Sequence, residues 1–378
     1  MDFELSEERR MLAETASRFI ANTYDIKTRH QVAETDEGFS AERWAQFAKL
    51  GLIGALLPAD IGGFGGTGED ISVVFQELGR GLVVEPFLAS GLLGASPIAI
   101  AGTDAQKAML EDVIAGGHLL ALAHGEPSGR YDISHVATKA TREGDAWVLN
   151  GQKAVVLNGD TADTLIVSAR IDGAVDDPRG LALFCVTADT VGITRRGYAT
   201  VDGGRSAEIS ISNVRLGPDA LIGDAGQAFP VLEQTFARAI VAVASEAIGI
   251  MDASKDMTLD YLKTRTQFGR PIGKFQVLQH RMVDMVLEIE QARSAVMLAA
   301  NTLETGNRVT RERNVSAAKN LVGRVGRLVA EETIQMHGGI AMTWEYALPH
   351  FAKRLTMIDH QFGDTDHHLM RFAELGRT

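Results

Sequence analysis

The chain has 378 residues, more than a single hydrophobic core usually serves, so two or three packed units are expected. Hydrophobic residues make up 45% and charged residues 23%, which excludes a largely disordered chain. A formal net charge of −12 argues against the basic face that a nucleic-acid partner requires, and one cysteine, Cys185, excludes an intramolecular disulfide or a thiolate metal cluster and fits a reducing compartment.

The opening stretch MDFELSEERRMLAE carries no apolar core of signal-peptide length, and no later stretch offers about eighteen uncharged apolar residues, so a cytoplasmic protein without a membrane span is expected. Ser6 is read as a helix cap, with Glu7 and Glu8 in the first turn and Leu12, Phe19 and Ile20 as a buried stripe. The helical region continues through AERWAQFAKLGLIGALL. It breaks at Pro58 and DIGGFGGTGED, resumes near ISVVFQELGRGL, and closes with TDAQKAMLEDVIAG. DIGGFGGTG neither follows a strand nor opens a helix at dinucleotide spacing, so it is read as a flexible loop between helices.

The pattern then changes to alternation. AWVLNG, TLIVSAR, LALFCVT and AEISISNV read as strands of a β unit of about a hundred residues. From Pro230 the helical period returns, with long segments at 231–265, 275–305 and 311–337. The fold class is therefore multidomain α+β: an N-terminal helical bundle at 1–118, a middle β-barrel at 119–228 and a C-terminal helical bundle at 229–378.

Three segments carry a resemblance: GEPSGRYD with GDAWVLNGQKAVVLNGDTADTLIVSAR, then YLKTRTQFGRPIGKFQVLQHRMVDM, then QMHGGIAMTWEY. Together with the helix, sheet, helix order they resemble the acyl-CoA dehydrogenase family over essentially the whole chain. The resemblance implies FAD as cofactor, an acyl-CoA as substrate and electron-transfer flavoprotein as acceptor. It assigns Arg265, Gln267 and Phe268, and Gln335, His337, Gly338 and Gly339, to the pyrophosphate and adenosine half of a neighbouring subunit's FAD. Glu126 falls in the segment that lays the flavin ring and thioester against the barrel, and Arg238 is carried over as a substrate contact. Since both motifs reach across an interface, a homo-oligomer or a heterotetramer is expected.

The pattern departs from the family where the base should be. The Tyr-Glu-Gly-Thr motif is matched by FGDT, which puts Gly363 in place of the glutamate and Asp364 one residue on, to be read as a base or as the cap of the following helix. The second family location, a glutamate before an arginine, holds Ala237 before Arg238. Glu246 shares a stripe with Ala239, Ala242, Val243, Gly249, Ile250 and Ala253, and reads either as a base of perturbed pKa or as the partner of a basic residue on a neighbouring helix. Val155-Val156-Leu157 replaces the Trp-x-Thr that meets the flavin ring, and Leu157 has no side-chain donor for N5. These departures resemble the small subunits of bacterial heteromeric acyl-CoA dehydrogenases, including the pimeloyl-CoA dehydrogenase type. Two readings follow: a complete dehydrogenase, or a catalytically silent subunit that completes the FAD site of a larger partner. A flavin monooxygenase of the same fold is a third. His360, His367 and His368 with Asp359 and Asp366 are spaced too irregularly for one metal ion, so none is expected.

Overall fold

Ser6 accepts a hydrogen bond from the Arg9 backbone and starts α1 (Glu7–Thr23), as its position before two glutamates predicts, in a computed structural model that describes residues 5–377. α2 (Ile26–Ala33) and α3 (Ala41–Lys49) follow, and then α4 (Gly68–Gly81), which Thr67 and Asp70 open with a reciprocal capping box. A π-helical stretch, Phe87–Gly94, leads into α5 (Ala95–Ala101), and α6 (Asp104–Ile114) is capped by Thr103 and Gln106.

The strands are β1 (Leu120–Ala123), β2 (Lys139–Glu143), β3 (Ala146–Leu157), β4 (Thr164–Arg170), β5 (Leu181–Thr187), β6 (Ile193–Ala199), β7 (Arg205–Leu216) and β8 (Leu221–Ile222). They form one sheet in the order β6-β7-β3-β2-β4-β5-β8, with β1 parallel to β4. Its path has two ends, β6 and β8, so the expected barrel is an open sheet. TLIVSAR is buried at every position, because β4 lies between neighbours in the sheet's interior. Its core gathers Leu149, Leu165, Val167, Phe184, Ile209 and Val214.

α7 (Phe229–Thr264) is followed by a hairpin, β9 (Thr266–Gln267) and β10 (Arg270–Pro271), then by α8 (Gln276–Thr302), α9 (Arg308–His337), α10 (Leu348–His360) and α11 (Thr365–Leu375). Two compact units result. A bundle unit takes the chain up to Arg29, Thr67–Val83 and the chain from Ile240 on, and a sheet unit takes His30–Gly66 and Val84–Ala239.

Within the bundle unit α4 and α7 meet backbone to backbone. A Cβ on Gly79 would lie 2.1 Å from the Glu246 carbonyl oxygen, and one on Gly249 would lie 1.9 Å from that of Gln76. The two glycines are what lets these helices approach, and they set Glu246 at the crossing. In the sheet unit a Cβ on Gly63 would lie 2.0 Å from the Leu57 oxygen, so the glycine-rich stretch expected as a flexible loop is a tightly packed turn.

Candidate functional site

At the end of α7 the Arg265 N–H bonds to the Tyr261 carbonyl, and the chain then turns through β9 and β10 with Gln267 facing Arg270. Phe268 (φ 53) and Gly269 (φ 77) form the turn, the left-handed pair that suits a two-residue hairpin. Phe268 is 90% exposed, and the Arg265 guanidinium and Gln267 amide also lie at the surface. Arg265 forms no ion pair among the described residues.

α9 ends at His337, and Gly338 follows at φ 70 and ψ −147, a backbone state that belongs to glycine almost alone. A Cβ on Gly338 or Gly339 would meet nothing within 4 Å, so this chain's own packing does not require Gly339 to lack a side chain. The His337 ring stacks on Tyr261 with centroids 4.5 Å apart, which joins the root of the hairpin to the paired-glycine turn. His337 Nδ1 donates to the Thr333 carbonyl at 2.8 Å, Nε2 is buried without a partner, and burial lowers the imidazole pKa. Gln335 is exposed one helical step back. An exposed guanidinium, an exposed amide and open glycine backbone form a donor set that fits a diphosphate approaching from outside the chain. The Tyr261–His337 stack thus joins the helix that leads into Arg265, Gln267 and Phe268 to the end of α9 that carries Gln335, His337, Gly338 and Gly339.

Neither base candidate is a free carboxylate. Arg354 on α10 grips both oxygens of Glu246, Nε to Oε1 and Nη2 to Oε2, each at 2.6 Å. Of the two readings of Glu246, the structure supplies the basic partner on a neighbouring helix; a bidentate guanidinium fixes the carboxylate in place. Asp364 caps α11, accepting from the His367 N–H at 2.9 Å. Gly363 sits at φ 110, and a Cβ there would fall 2.5 Å from the His367 ring and 2.6 Å from His368 Nε2. Fully buried Lys319 fixes this turn, donating to the carbonyls of Asp359 at 2.9 Å and Gly363 at 2.7 Å, while Asn320 donates to Thr365. Burial pushes the Lys319 ammonium down to about 8, with Asp359 and Asp364 opposing it. No group of three or more potential metal ligands occurs among the described residues.

In the sheet unit Glu126 is engaged by the chain's own donors: Oε1 takes Lys153 Nζ at 2.7 Å and the Thr138 N–H at 3.0 Å, and Oε2 takes the Ala137 N–H at 2.7 Å. Burial would raise its carboxyl pKa, but the Lys153 ammonium and the Thr138 donor outweigh that and bring it to about 2. Sequence reasoning missed Lys153. Its signal was parity: Trp147, Leu149 and Lys153 fall on the buried face of β3. Beyond it Val155, in the aromatic's place, is 62% exposed at φ 54, in a β-bulge between Lys153 and Val156. Arg238 is 8% exposed and donates to the Leu56 carbonyl within the same unit.

The family models for the N-terminal, middle and C-terminal domains of acyl-CoA dehydrogenase match residues 6–117, 121–214 and 226–375. The chain is 32% identical over 354 residues to the probable acyl-CoA dehydrogenase YngJ of Bacillus subtilis, covering 92% of both proteins. It is similar to butyryl-CoA dehydrogenase from Megasphaera elsdenii, with a TM-score of 0.90, 27% identity and 100% of each chain covered. It is also similar to a variant of the Tcur3481–Tcur3483 steroid ACAD, with a TM-score of 0.88, 28% identity and 98% of each chain covered.

Proposed function

This chain belongs to the acyl-CoA dehydrogenase family, and on that premise we propose that it is the subunit without a base in a heteromeric, FAD-dependent acyl-CoA dehydrogenase. Family membership carries the chemistry, oxidation of an acyl-CoA thioester. On our reading the larger partner subunit contributes the base, and electron-transfer flavoprotein takes the electrons onward. Residues 1–118, 119–228 and 229–378 are its domains.

One observation supports this reading: of the four positions weighed for the base, Gly363 and Ala237 carry no carboxylate, and Asp364 and Glu246 are engaged within the chain. Gly363 has no side chain, and ring atoms of His367 and His368 stand where one would grow. Asp364 is engaged as a helix cap and Glu246 by Arg354. The reaction needs a base within hydrogen-bond reach of the Cα proton, and a carboxylate with both oxygens bonded to a guanidinium is already engaged.

FAD, when bound, supplies the two-electron acceptor. Toward it this chain offers the Arg265 guanidinium for the diphosphate charge, the Gln267 and Gln335 amides for polar contacts, and the Gly338–Gly339 backbone for close approach. Outward exposure of the hairpin supports delivery of these groups to a neighbouring subunit. The small-subunit resemblance supports a partner that differs from this chain.

The test is to purify the chain alone and together with its partner, record flavin absorbance, and add acyl-CoA. Flavin that bleaches only in the complex is the expected result. Yellow protein that bleaches when the chain is alone overturns the reading and makes this a self-sufficient dehydrogenase.

A further inference from the structure

β4 is buried throughout, yet it carries Ser168 at its centre, and Lys153 on β3 places a side chain with no exposed surface beside it. The three N–H groups of that ammonium match three acceptors: Glu126 Oε1 at 2.7 Å, Ser168 Oγ at 3.1 Å and the His124 carbonyl at 3.2 Å. A buried ion pair adds little net stability over apolar residues of the same volume, so its presence in an apolar sheet invites a second role.

Counting donors and acceptors supplies one. Ser168 accepts from Lys153, and its other contact is His124 Nδ1 at 3.0 Å. The hydroxyl is fully buried, so its own proton is satisfied only on Nδ1, which must then be the bare nitrogen. The imidazole proton therefore sits on Nε2. That nitrogen makes no hydrogen bond among the described residues, although the residue is only 6% exposed and the Phe236 ring lies 5.2 Å away. Burial, then the Lys153 ammonium, hold His124 at about 3, so the ring is neutral across the physiological range. Nε2 is not one of the fully buried atoms left without a partner, so this donor on an otherwise buried, orientationally locked ring reaches the surface, where an acceptor from outside can take it.

We infer that Lys153 and Ser168 lock His124 as a fixed, neutral Nε2–H donor to a carbonyl oxygen of a molecule bound against this sheet, either a flavin ring carbonyl or a thioester carbonyl. A permanently oriented donor stabilises charge gathering on such an oxygen without needing to reorganise. The inference rests on the reading that flavin and acyl-CoA are this family member's ligands. It does not depend on which subunit holds the base.

The experiment compares wild type, His124→Phe, His124→Gln and Ser168→Ala, each as the full chain and as the complex with its partner. FAD affinity is followed by flavin absorbance, and affinities for butyryl-, octanoyl- and palmitoyl-CoA by calorimetry. His124→Phe is expected to weaken one probe about tenfold and spare the other, which identifies whose carbonyl is held. His124→Gln, which keeps an N–H, retains most of the affinity. Ser168→Ala keeps the imidazole but frees its tautomer, and gives a smaller loss on the same probe. If the flavin is the ligand, its visible band also shifts in His124→Phe. Unchanged affinities for FAD and for every thioester in folded His124→Phe and Ser168→Ala protein overturn the proposal. Bleaching with and without the partner is read separately, so either idea can fail while the other stands.

Discussion

Val155 is a β-branched residue held at φ 54, where its side chain crowds its own backbone, and its exposed position offers little packing in return. What fixes it is the bulge around it: the Ala154 N–H bonds to the Gly125 carbonyl at 2.8 Å, and the Val155 N–H reaches Glu208 Oε1 at 3.4 Å. A left-handed L-residue costs roughly 1–2 kcal/mol, against roughly 0.5–1 kcal/mol of extra chain entropy for glycine. Val155→Gly is therefore expected to stabilise the sheet unit by a net of about 0.5–1 kcal/mol, read as a raised unfolding midpoint in calorimetry. A lowered midpoint would mean that the bulge is not strained.

Two buried imidazoles link folding to pH. His124 and His368 are each held at about 3, by burial first and then by Lys153 and Lys319 respectively. Glu126 and Asp132 oppose the shift at His124, while His367 and Arg371 reinforce it at His368. Below the ordinary value of 6.5 the unfolded chain takes up these protons and the folded chain does not. Their contribution to stability is thus whole above that value and is lost as pH falls toward 3, at about 1.4 kcal/mol per pH unit for each ring. Calorimetry between pH 7 and pH 4.5 is expected to show falling midpoints, with His124→Gln flattening the slope of the sheet unit and His368→Gln that of the bundle unit. Unaltered slopes in both variants would rule out these rings as the source.

At the scale of elements, the crossing of α4 and α7 turns on two glycines that helix propensity alone would replace with alanine. Alanine favours an isolated helix by about 1 kcal/mol, but a methyl group on Gly79 or Gly249 must displace the opposite helix's backbone. Gly79→Ala and Gly249→Ala are each expected to destabilise the bundle unit by about 1–3 kcal/mol, measured as a lowered thermal midpoint. A neutral or stabilising result in either would show that the helices can separate freely. The sequence marked Gly249 only as a small residue on a buried stripe, since a one-dimensional pattern does not reveal which backbone lies opposite.

The same limit sorts the elements that were legible from those that were not. TLIVSAR and LALFCVT became β4 and β5 with the boundaries read, because short β-branched runs between turn residues have few alternatives. The long helices α7, α8 and α9 announced themselves by period. β6 did not: ITRRGYA breaks alternation with two adjacent arginines, and Arg195 is held by the carbonyls of Gly159, Asp160 and Ala162 far along the chain. The π-helical turn at Phe87–Gly94 is apolar on all sides and so has no face to read. Within the candidate site, Arg265 and the paired glycines could be singled out from sequence because local motifs carry them. The partners that close the base positions, Arg354 and Lys319, were not, because they arrive from other helices.

At the scale of the whole molecule, the distribution of exposed apolar surface argues that the hairpin end of the bundle unit is built for contact. Phe268 is 90% exposed at a left-handed turn, and its one ring contact among the described residues is an edge contact to Phe275, whose ring centre lies 6.1 Å away. Met342 and Trp344, in the segment after the paired glycines, are 74% and 57% exposed. A folded chain in isolation gains little from the Phe268 ring or the Arg265 guanidinium, so their removal should leave it as stable as before, within about 0.5 kcal/mol. Arg265→Ala and Phe268→Ser are accordingly expected to unfold at the wild-type temperature when the chain is alone. The assembled complex should respond differently. A charge-assisted bond to a diphosphate contributes about 1.5–3 kcal/mol, so Arg265→Ala should weaken flavin retention roughly 10- to 100-fold, read as flavin absorbance per protein after gel filtration. Arg265→Lys should recover only part of this, because an ammonium lacks the planar fork that matches two phosphate oxygens. Phe268→Ser should lower flavin retention and loosen the assembly together, since that ring has surface to bury only against a second body. Full flavin occupancy in both Arg265→Ala and Phe268→Ser would mean that the cofactor is held elsewhere, and that the resemblance at this turn has outlived its use.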